Sequence, residues 1–212
     1  MKVLMLNGSA KPNGCTNTAL EEVGRVLKDE GIEYEIVQIG AKPVRDCIGC
    51  GKCREIGKCV FDDDEVNNFV NKAKECDGFV FGTPVYFAHP SGRILSFLDR
   101  AFYSASQGGK YPAFAYKPSA VVASARRGGT TASLDALAKY FTISQMPVVA
   151  STYWNMVHGN TPDEVKQDSE GLQTMRNIGH NMAWLLKSIE AGKNNSVPSP
   201  KSEFGQKTNF IR

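Results

Sequence analysis

The chain has 212 residues, 42% hydrophobic and 22% charged, the balance of a globular protein long enough to bury a core without disulfides. A formal net charge of +3 with no basic tract argues against a nucleic-acid binder, and no apolar run is long enough to span a bilayer. Val3 to Leu6 is too short for the apolar segment of a secretory signal, so a cytoplasmic protein is expected, in which six cysteines point to redox or metal chemistry rather than structural bridges.

Lys2 to Leu6 is a short apolar run of strand type. Thr16 to Glu30 then repeats apolar residues at Ala19, Leu20, Val23, Val26 and Leu27, the spacing of a helix. Tyr34 to Ile39 predicts a second strand, followed by a cysteine-rich insertion over 41–63, a helix from about Asp64 to Glu75 and a third strand at Phe79 to Phe81. A helix near Ser91 to Phe102 precedes a strand at Ser119 to Ala123. A helix near Thr131 to Ile143, a strand at Val148 to Thr152 and one long helix near Pro162 to Ile189 complete the alternation. Residues 1–190 read as one domain, and 191–212, rich in Gly, Asn, Ser and Pro, as a loose tail available to another subunit.

Five strands separated by helices predict an α/β fold, a parallel sheet with helices on both faces. Ligands of such sheets sit at the carboxyl ends of the strands, which directs attention to the loops leaving the first, third and fourth.

The first of these runs Asn7-Gly8-Ser9-Ala10-Lys11-Pro12-Asn13-Gly14-Cys15-Thr16-Asn17-Thr18 straight into a helix. Free amides at a helix N-terminus favour an anion, with Ser9, Thr16 and Thr18 as hydroxyl donors and Lys11 as a cation. The spacing is neither a dinucleotide fingerprint nor a Walker loop. The same residues also suit a bare helix cap in which Thr16 satisfies the orphan amides.

In this loop Gly8, Ser9, Lys11 and Thr16 fill a Gly-Ser-x-Lys…Thr pattern, and the third strand ends in Gly82-Thr83-Pro84-Val85-Tyr86-Phe87, ahead of a helix bearing Leu98-Asp99-Arg100. Over roughly residues 1–160 the chain thereby resembles the flavodoxin-like NAD(P)H-dependent FMN reductases. That resemblance implies a doubly wound five-stranded sheet of order 2-1-3-4-5. It also implies an FMN whose phosphate is held by Ser9, Lys11, Thr16, Asn17 and Thr18 and whose ring lies on Thr83, Pro84, Val85, Tyr86 and Phe87. Tyr86 or Phe87 is expected to cover a ring face, although Phe87 equally suits a core position. Ser124, Arg126, Gly128 and Gly129 follow the fourth strand; their glycines admit a ligand closely, their arginine favours anions, and the resemblance places them beside the flavin and the incoming NAD(P)H. A basic turn capped by Thr130 is the plainer alternative. Tyr153, Trp154 and His158 compose a wall suited to a substrate pocket, with His158 as a possible proton donor or simply a hydrogen-bonded ring.

Cys47-x2-Cys50-x2-Cys53-x5-Cys59 brings thiols together at short gaps, as one compact metal centre requires. The spacing resembles that of the iron-sulfur flavoproteins, a branch of the same fold, and so implies a [4Fe-4S] cluster exchanging single electrons with FMN. Free or paired thiols are the other reading. Cys15 and Cys76 are expected to be fillers, and Asp62-Asp63-Asp64 to cap a helix rather than bind metal.

The resulting expectation is an oxidoreductase in which NAD(P)H reduces FMN, and FMN reduces a quinone-like, flavin or other small acceptor. No catalytic side chain is required. A ferredoxin-like partner and a homodimer or homotetramer accompany the resemblance. An electron carrier of flavodoxin type is the rival, disfavoured by the positive charge, and a flavin-binding redox sensor is a third reading.

Overall fold

In the computed structural model, which describes residues 1–206 and 208, five parallel strands form one sheet. They are β1 (Lys2–Asn7), β2 (Glu33–Gln38), β3 (Gly78–Tyr86), β5 (Ser119–Ala125) and β6 (Met156–His158), in spatial order β2-β1-β3-β5-β6. Counting only these strands, this is the expected 2-1-3-4-5 order. A short extra strand, β4 (His89–Pro90), folds back antiparallel on the end of β3.

Both faces of the sheet are buried, so successive residues of one strand serve opposite cores. Leu4 and Leu6 of β1 join Phe79, Phe81 and Val121 under α3 (Val66–Lys74), α4 (Gly92–Ala105) and α5 (Thr130–Ile143). Val3 and Met5 join Val80, Ala120 and Val122 under α1 (Cys15–Asp29), α6 (Pro162–Gln167) and α7 (Ser169–Asn194). The first core is aromatic: Phe81 lies 5.1 Å from Phe141 and Phe102 stacks on Phe114 at 4.4 Å. Truncating one such ring to Ala costs about 3–5 kcal/mol. On the second face α1 descends onto β3 at Gly82, where a Cβ would fall 2.8 Å from Thr16 Cγ2 and 2.9 Å from Leu20 Cδ1. That close approach fixes where the N-terminus of α1 stands above the sheet.

Several expected elements differ. The fifth strand is not Val148 to Thr152: Val148 makes one isolated bridge to Ser119, and pairing resumes only at β6. Between them the backbone is drawn outward onto α7, where Asn181 donates to the Ala150 carbonyl (2.8 Å) and Ser151 to that of Thr174 (2.7 Å). The long helix expected over 162–189 is two helices. Asp168, with φ −76° and ψ 80°, interrupts it, and its carboxylate caps α7 by accepting from the Gly171 amide. The tail keeps helical structure to Asn194 and none beyond it among the described residues. The cysteine insertion carries one helical turn, α2 (Cys53–Ile56). Among the described residues no helix is long and apolar enough to cross a membrane.

Candidate functional site

The loop after β1 is organised by its own polar groups. Buried Asn7 accepts from the Ser9 amide (3.1 Å), Ser9 Oγ accepts from the Lys11 amide (3.1 Å), and the Gly8 amide donates to the Gly82 carbonyl of β3 (2.8 Å). Helix α1 then starts with Gly14 at its N-cap position and no side chain capping it. Thr16 is therefore not the cap: it is the second residue of the helix, and its hydroxyl is buried 2.8 Å from Ser124 Oγ at the end of β5. Thr18 Oγ1 donates to the Gly14 carbonyl (3.3 Å). Of the expected hydroxyl donors, Ser9 keeps its proton for a ligand, while Thr16 and Thr18 build the cradle. The first-turn amides lack a side-chain partner, the arrangement that binds a phosphate. Lys11 is exposed and Asn17 half-buried at the rim.

The second loop stands beside the first. Buried Thr83 donates to the Pro84 carbonyl (2.9 Å) and accepts from the Ser91 amide (3.1 Å). Ser91 in turn caps α4 and donates to the Gly8 carbonyl (3.0 Å), joining the two loops. Pro84 and Val85 are half-buried. Tyr86 is 55% exposed and Phe87 fully exposed, so the core position allowed for Phe87 is wrong. The reason is the turn into β4, where Phe87 (φ 50°) and Ala88 (φ 60°) are both left-handed and swing the ring outward. Such a conformation costs non-glycine residues about 1–2 kcal/mol each.

The third loop leans on that turn. Gly129 has φ 95°, and a Cβ there would sit 2.4 Å from Ala88 Cα, so only glycine lets the two loops meet. Gly129 rather than Thr130 occupies the N-cap position of α5, and Thr130 points inward toward Met156 Sδ (3.1 Å). Ser124 is buried, whereas Arg126 and Gly128 are exposed on the same rim.

After the third loop, the structure brings Tyr153 and His158 to one cavity with Met156, Asp168 and Thr174. Trp154 lies outside it, edge-on to Tyr153 at 4.9 Å. His158 Nε2 is 3.0 Å from the Arg127 carbonyl and Nδ1 is 3.8 Å from Asp168 Oδ2, so the ring is held between protein oxygens. This geometry favours the hydrogen-bonded role over proton donation.

The second candidate site lies under the cysteine insertion. Cys47, Cys50, Cys53 and Cys59 all line one pocket, together with Arg100 and Tyr103, and all four are free thiols. Gly49, Gly51 and Gly57, at φ 63°, 71° and 74°, supply the left-handed turns that wind the loop around it. Burial pushes the Cys53 thiol above its ordinary range, and the other three cysteines add to the rise. Among the described residues no three His, Cys, Asp or Glu side chains converge on a single-ion site. Four soft sulfur donors around a pocket walled by Ile48, Val60 and Phe61 suit a thiolate-bound cluster.

Two residues that the sequence did not connect to the cysteines hold this loop. Asn67 accepts from the Cys59 amide (2.9 Å) and donates to the Cys59 (3.0 Å) and Phe61 (3.1 Å) carbonyls. Arg100, 1% exposed, reaches Cys59 from α4. Burial alone would lower its pKa, but hydrogen bonds to Asp64 and Cys59 carry it above the ordinary arginine value. An arginine on the apolar stripe Ile94-Phe97-Ala101 was the available signal. Asp62, Asp63 and Asp64 pair with Lys58, Arg45 and Arg100, and none of them is the cap expected of α3: Glu65 holds the N-cap position with no side chain capping it, while Asp64, one residue earlier, accepts from the Val66 amide. Gln38, on β2, was also missed: its Nε2 donates to the Ser9 carbonyl (2.6 Å), and its buried Oε1 has no partner, an orphan acceptor beside the loop after β1. Cys76 is buried and Cys15 half-buried, both with thiols raised by desolvation, as suits fillers.

Comparison with known proteins places these sites in a context. The family model described as NADPH-dependent FMN reductase matches residues 1–161. An iron-sulfur flavoprotein of Methanocaldococcus jannaschii is 33% identical, over 90% of this chain and 100% of the relative. Among solved structures, a flavone reductase superposes with a TM-score of 0.70 at 19% identity, covering 90% of this chain and 64% of the other. A flavodoxin from the domain Archaea superposes with a TM-score of 0.58 at 13% identity, covering 88% and 99%, so the fold is flavodoxin-like.

Proposed function

The chain belongs to the NADPH-dependent FMN reductase family and is a flavin-dependent oxidoreductase, and we propose that it transfers electrons from NAD(P)H through FMN to a small quinone-like or flavin acceptor, with a [4Fe-4S] cluster in the cysteine pocket as a single-electron relay. The observation that carries the flavin reading is the side-chain-uncapped N-terminus of α1, pinned by Thr16 to Ser124 and flanked by the Thr83–Phe87 and Arg126–Gly129 loops.

FMN, when bound, supplies the redox chemistry. The chain's own residues bind and orient. The first-turn amides of α1, Ser9 and Lys11 would take the phosphate, with Asn17 at the rim, and Gln38 Oε1 would accept a hydrogen bond from a ligand hydroxyl. The backbone of Thr83 to Val85 would meet the polar edge of the ring, and Tyr86 and Phe87, exposed beside it, would exclude water from its face. Arg126 would attract the anionic nicotinamide cofactor. Tyr153 and His158 would border the acceptor, with His158 as a fixed wall rather than a proton donor.

Two features support the cluster: the four thiols of one pocket and the description of the Methanocaldococcus relative as an iron-sulfur flavoprotein. Cys47, Cys50, Cys53 and Cys59 would be its ligands. A ferredoxin-like protein would be a matching single-electron partner. Tyr153 and Trp154, in edge contact at 4.9 Å and each more than half exposed, suit self-association into a homodimer or homotetramer.

Steady-state NAD(P)H oxidation by anaerobically purified, FMN-loaded protein with a quinone tests the reading. Turnover with ping-pong kinetics is expected. Bound FMN without turnover would assign the chain to electron carriage or redox sensing instead, and an absorption spectrum showing flavin bands alone would remove the cluster.

A further inference from the structure

Among the described residues Arg100 is the largest fully buried side chain, and the flavin site makes no use of it. A guanidinium has five N–H donors and stays charged at any physiological pH, so its burial is tolerated only where those donors are met. Here they are. Nη1 donates to Asp64 Oδ2 and to the Arg45 carbonyl (3.4 Å), and Nη2 to Asp64 Oδ1 (3.2 Å) and the Phe61 carbonyl (3.0 Å). Nε, the one donor left, is 3.2 Å from Cys59 Sγ. Four of these contacts are to oxygen and would suffice to bury the group. The fifth is spent on a sulfur, a weak acceptor as a thiol and a strong one as a thiolate.

We propose that Arg100 is a positioning and potential-setting residue for the cluster, donating its Nε–H to the Cys59 ligand sulfur, while Asp64 holds the guanidinium in place and offsets part of its charge. The inference rests on the cluster reading of the cysteine pocket. Its physical basis is that a hydrogen bond to a ligand sulfur, like a nearby cation, favours the reduced and more negative cluster and so raises the reduction potential. Asp64 acts in the opposite sense, because a carboxylate close to the same centre disfavours the added electron. The two residues therefore predict potential shifts of opposite sign. A role confined to holding the loop together predicts no such opposition, since loosening either partner disturbs the same loop.

The test is an EPR-monitored redox titration of anaerobically purified holoprotein, with dithionite as reductant, for the wild type, Arg100→Lys and Asp64→Asn. The FMN potential, followed by absorbance in the same samples, is the internal reference. Arg100→Lys keeps the charge but loses the directed Nε–H, and its cluster potential is expected to fall; that of Asp64→Asn is expected to rise, with the FMN potential unmoved in both. Unchanged cluster potentials, or shifts of one sign in the two variants, overturn the role of Arg100 while leaving the cluster standing. Where Arg100→Lys does not retain iron, Asp64→Asn decides alone: a rise supports the proposal, and a fall or no change overturns it. Wild-type protein that takes up no iron on anaerobic reconstitution overturns both the proposal and the cluster reading beneath it.

Discussion

The hydroxyl pair Thr16–Ser124 offers a measurable handle on the flavin site. Thr16 is 1% exposed and Ser124 5% exposed, and their oxygens are 2.8 Å apart, so water cannot take the place of either partner. Thr16→Val keeps the shape of the side chain but leaves Ser124 Oγ buried and unpaired, which costs about 1–3 kcal/mol. Ser124→Ala does the same to Thr16. In the double variant neither polar group remains, and replacing both partners of a buried hydrogen bond is close to neutral relative to removing one. The double variant should then be about as stable as the weaker single, with a coupling energy near 1–2 kcal/mol, well outside the roughly 0.5 kcal/mol within which independent sites add. Urea unfolding of the four apoproteins measures this. Because the pair anchors the first turn of α1, each single variant should also weaken FMN, by about three- to tenfold, where tenfold is 1.4 kcal/mol, read from quenching of flavin fluorescence. Costs that simply add, with FMN affinity unchanged, would show that the hydroxyls do not act as a pair and that something else sets the cradle.

Three further outcomes follow from the geometry. Gly129→Ala forces a Cβ toward Ala88 Cα at 2.4 Å from a backbone with φ 95°, and should cost about 2 kcal/mol or more in urea unfolding while raising the KM for NAD(P)H; a variant as stable as the wild type would contradict the loop contact. Cys59→Ser and Cys50→Ser should each lose iron after anaerobic reconstitution and retain FMN, as metal analysis and flavin content will show, and iron retained at the wild-type level in both would count against a cluster on these thiols. Hydrogen bonds from Lys2 and then Lys72 hold the Glu35 carboxyl below its ordinary value against a smaller opposing effect of burial. A lowered folded-state pKa stabilises above the unfolded value of about 4.3 and is lost as pH falls through the folded value. Glu35→Gln should therefore cost at most about 1 kcal/mol at neutral pH, the pair being about one-third exposed and screened, and nothing once Glu35 is protonated in both states. A cost that persists in acid would mean that the ion pairs are not its source.

Much of this was legible because parallel strands buried on both faces announce themselves as unbroken apolar runs, as Val3 to Leu6 and Ala120 to Ala123 do. The glycine- and hydroxyl-rich loops were legible for a related reason, since their chemistry is local. What failed depended on distant partners. Val148 to Thr152 has strand composition, yet its Ala150 carbonyl and Ser151 hydroxyl are engaged by α7, and pairing waits until Met156. Thr16 looks like a cap until Ser124, more than a hundred positions later, claims its hydroxyl. Phe87 looks like core until the left-handed turn ejects it. Arg100 counts as surface by residue type; its place on the apolar stripe of α4 hints at burial, but its partners Cys59, Phe61 and Asp64 are brought to it only by the fold.

Helix α4 ties these observations together. At its start, Ser91 caps the helix while binding Gly8 and Thr83, so the helix is keyed to two of the three loops of the flavin site. Further along, Arg100 binds Cys59 and Phe61 of the cysteine insertion and Asp64 just after it. The rise from Ser91 to Arg100 is about 14 Å at 1.5 Å per residue, along a helix whose buried Ile94, Phe97, Leu98 and Ala101 fix it to the aromatic core. A rod clamped at both ends in this way holds the two sites at a set separation, which a relay of single electrons needs and an independent thiol loop does not. The insertion therefore does not hang from the fold as an appendage. The buried cation that binds it, Arg100, belongs to the helix whose capping residue is bonded to two flavin loops, and on the proposed reading that shared helix is what makes two redox sites into one device.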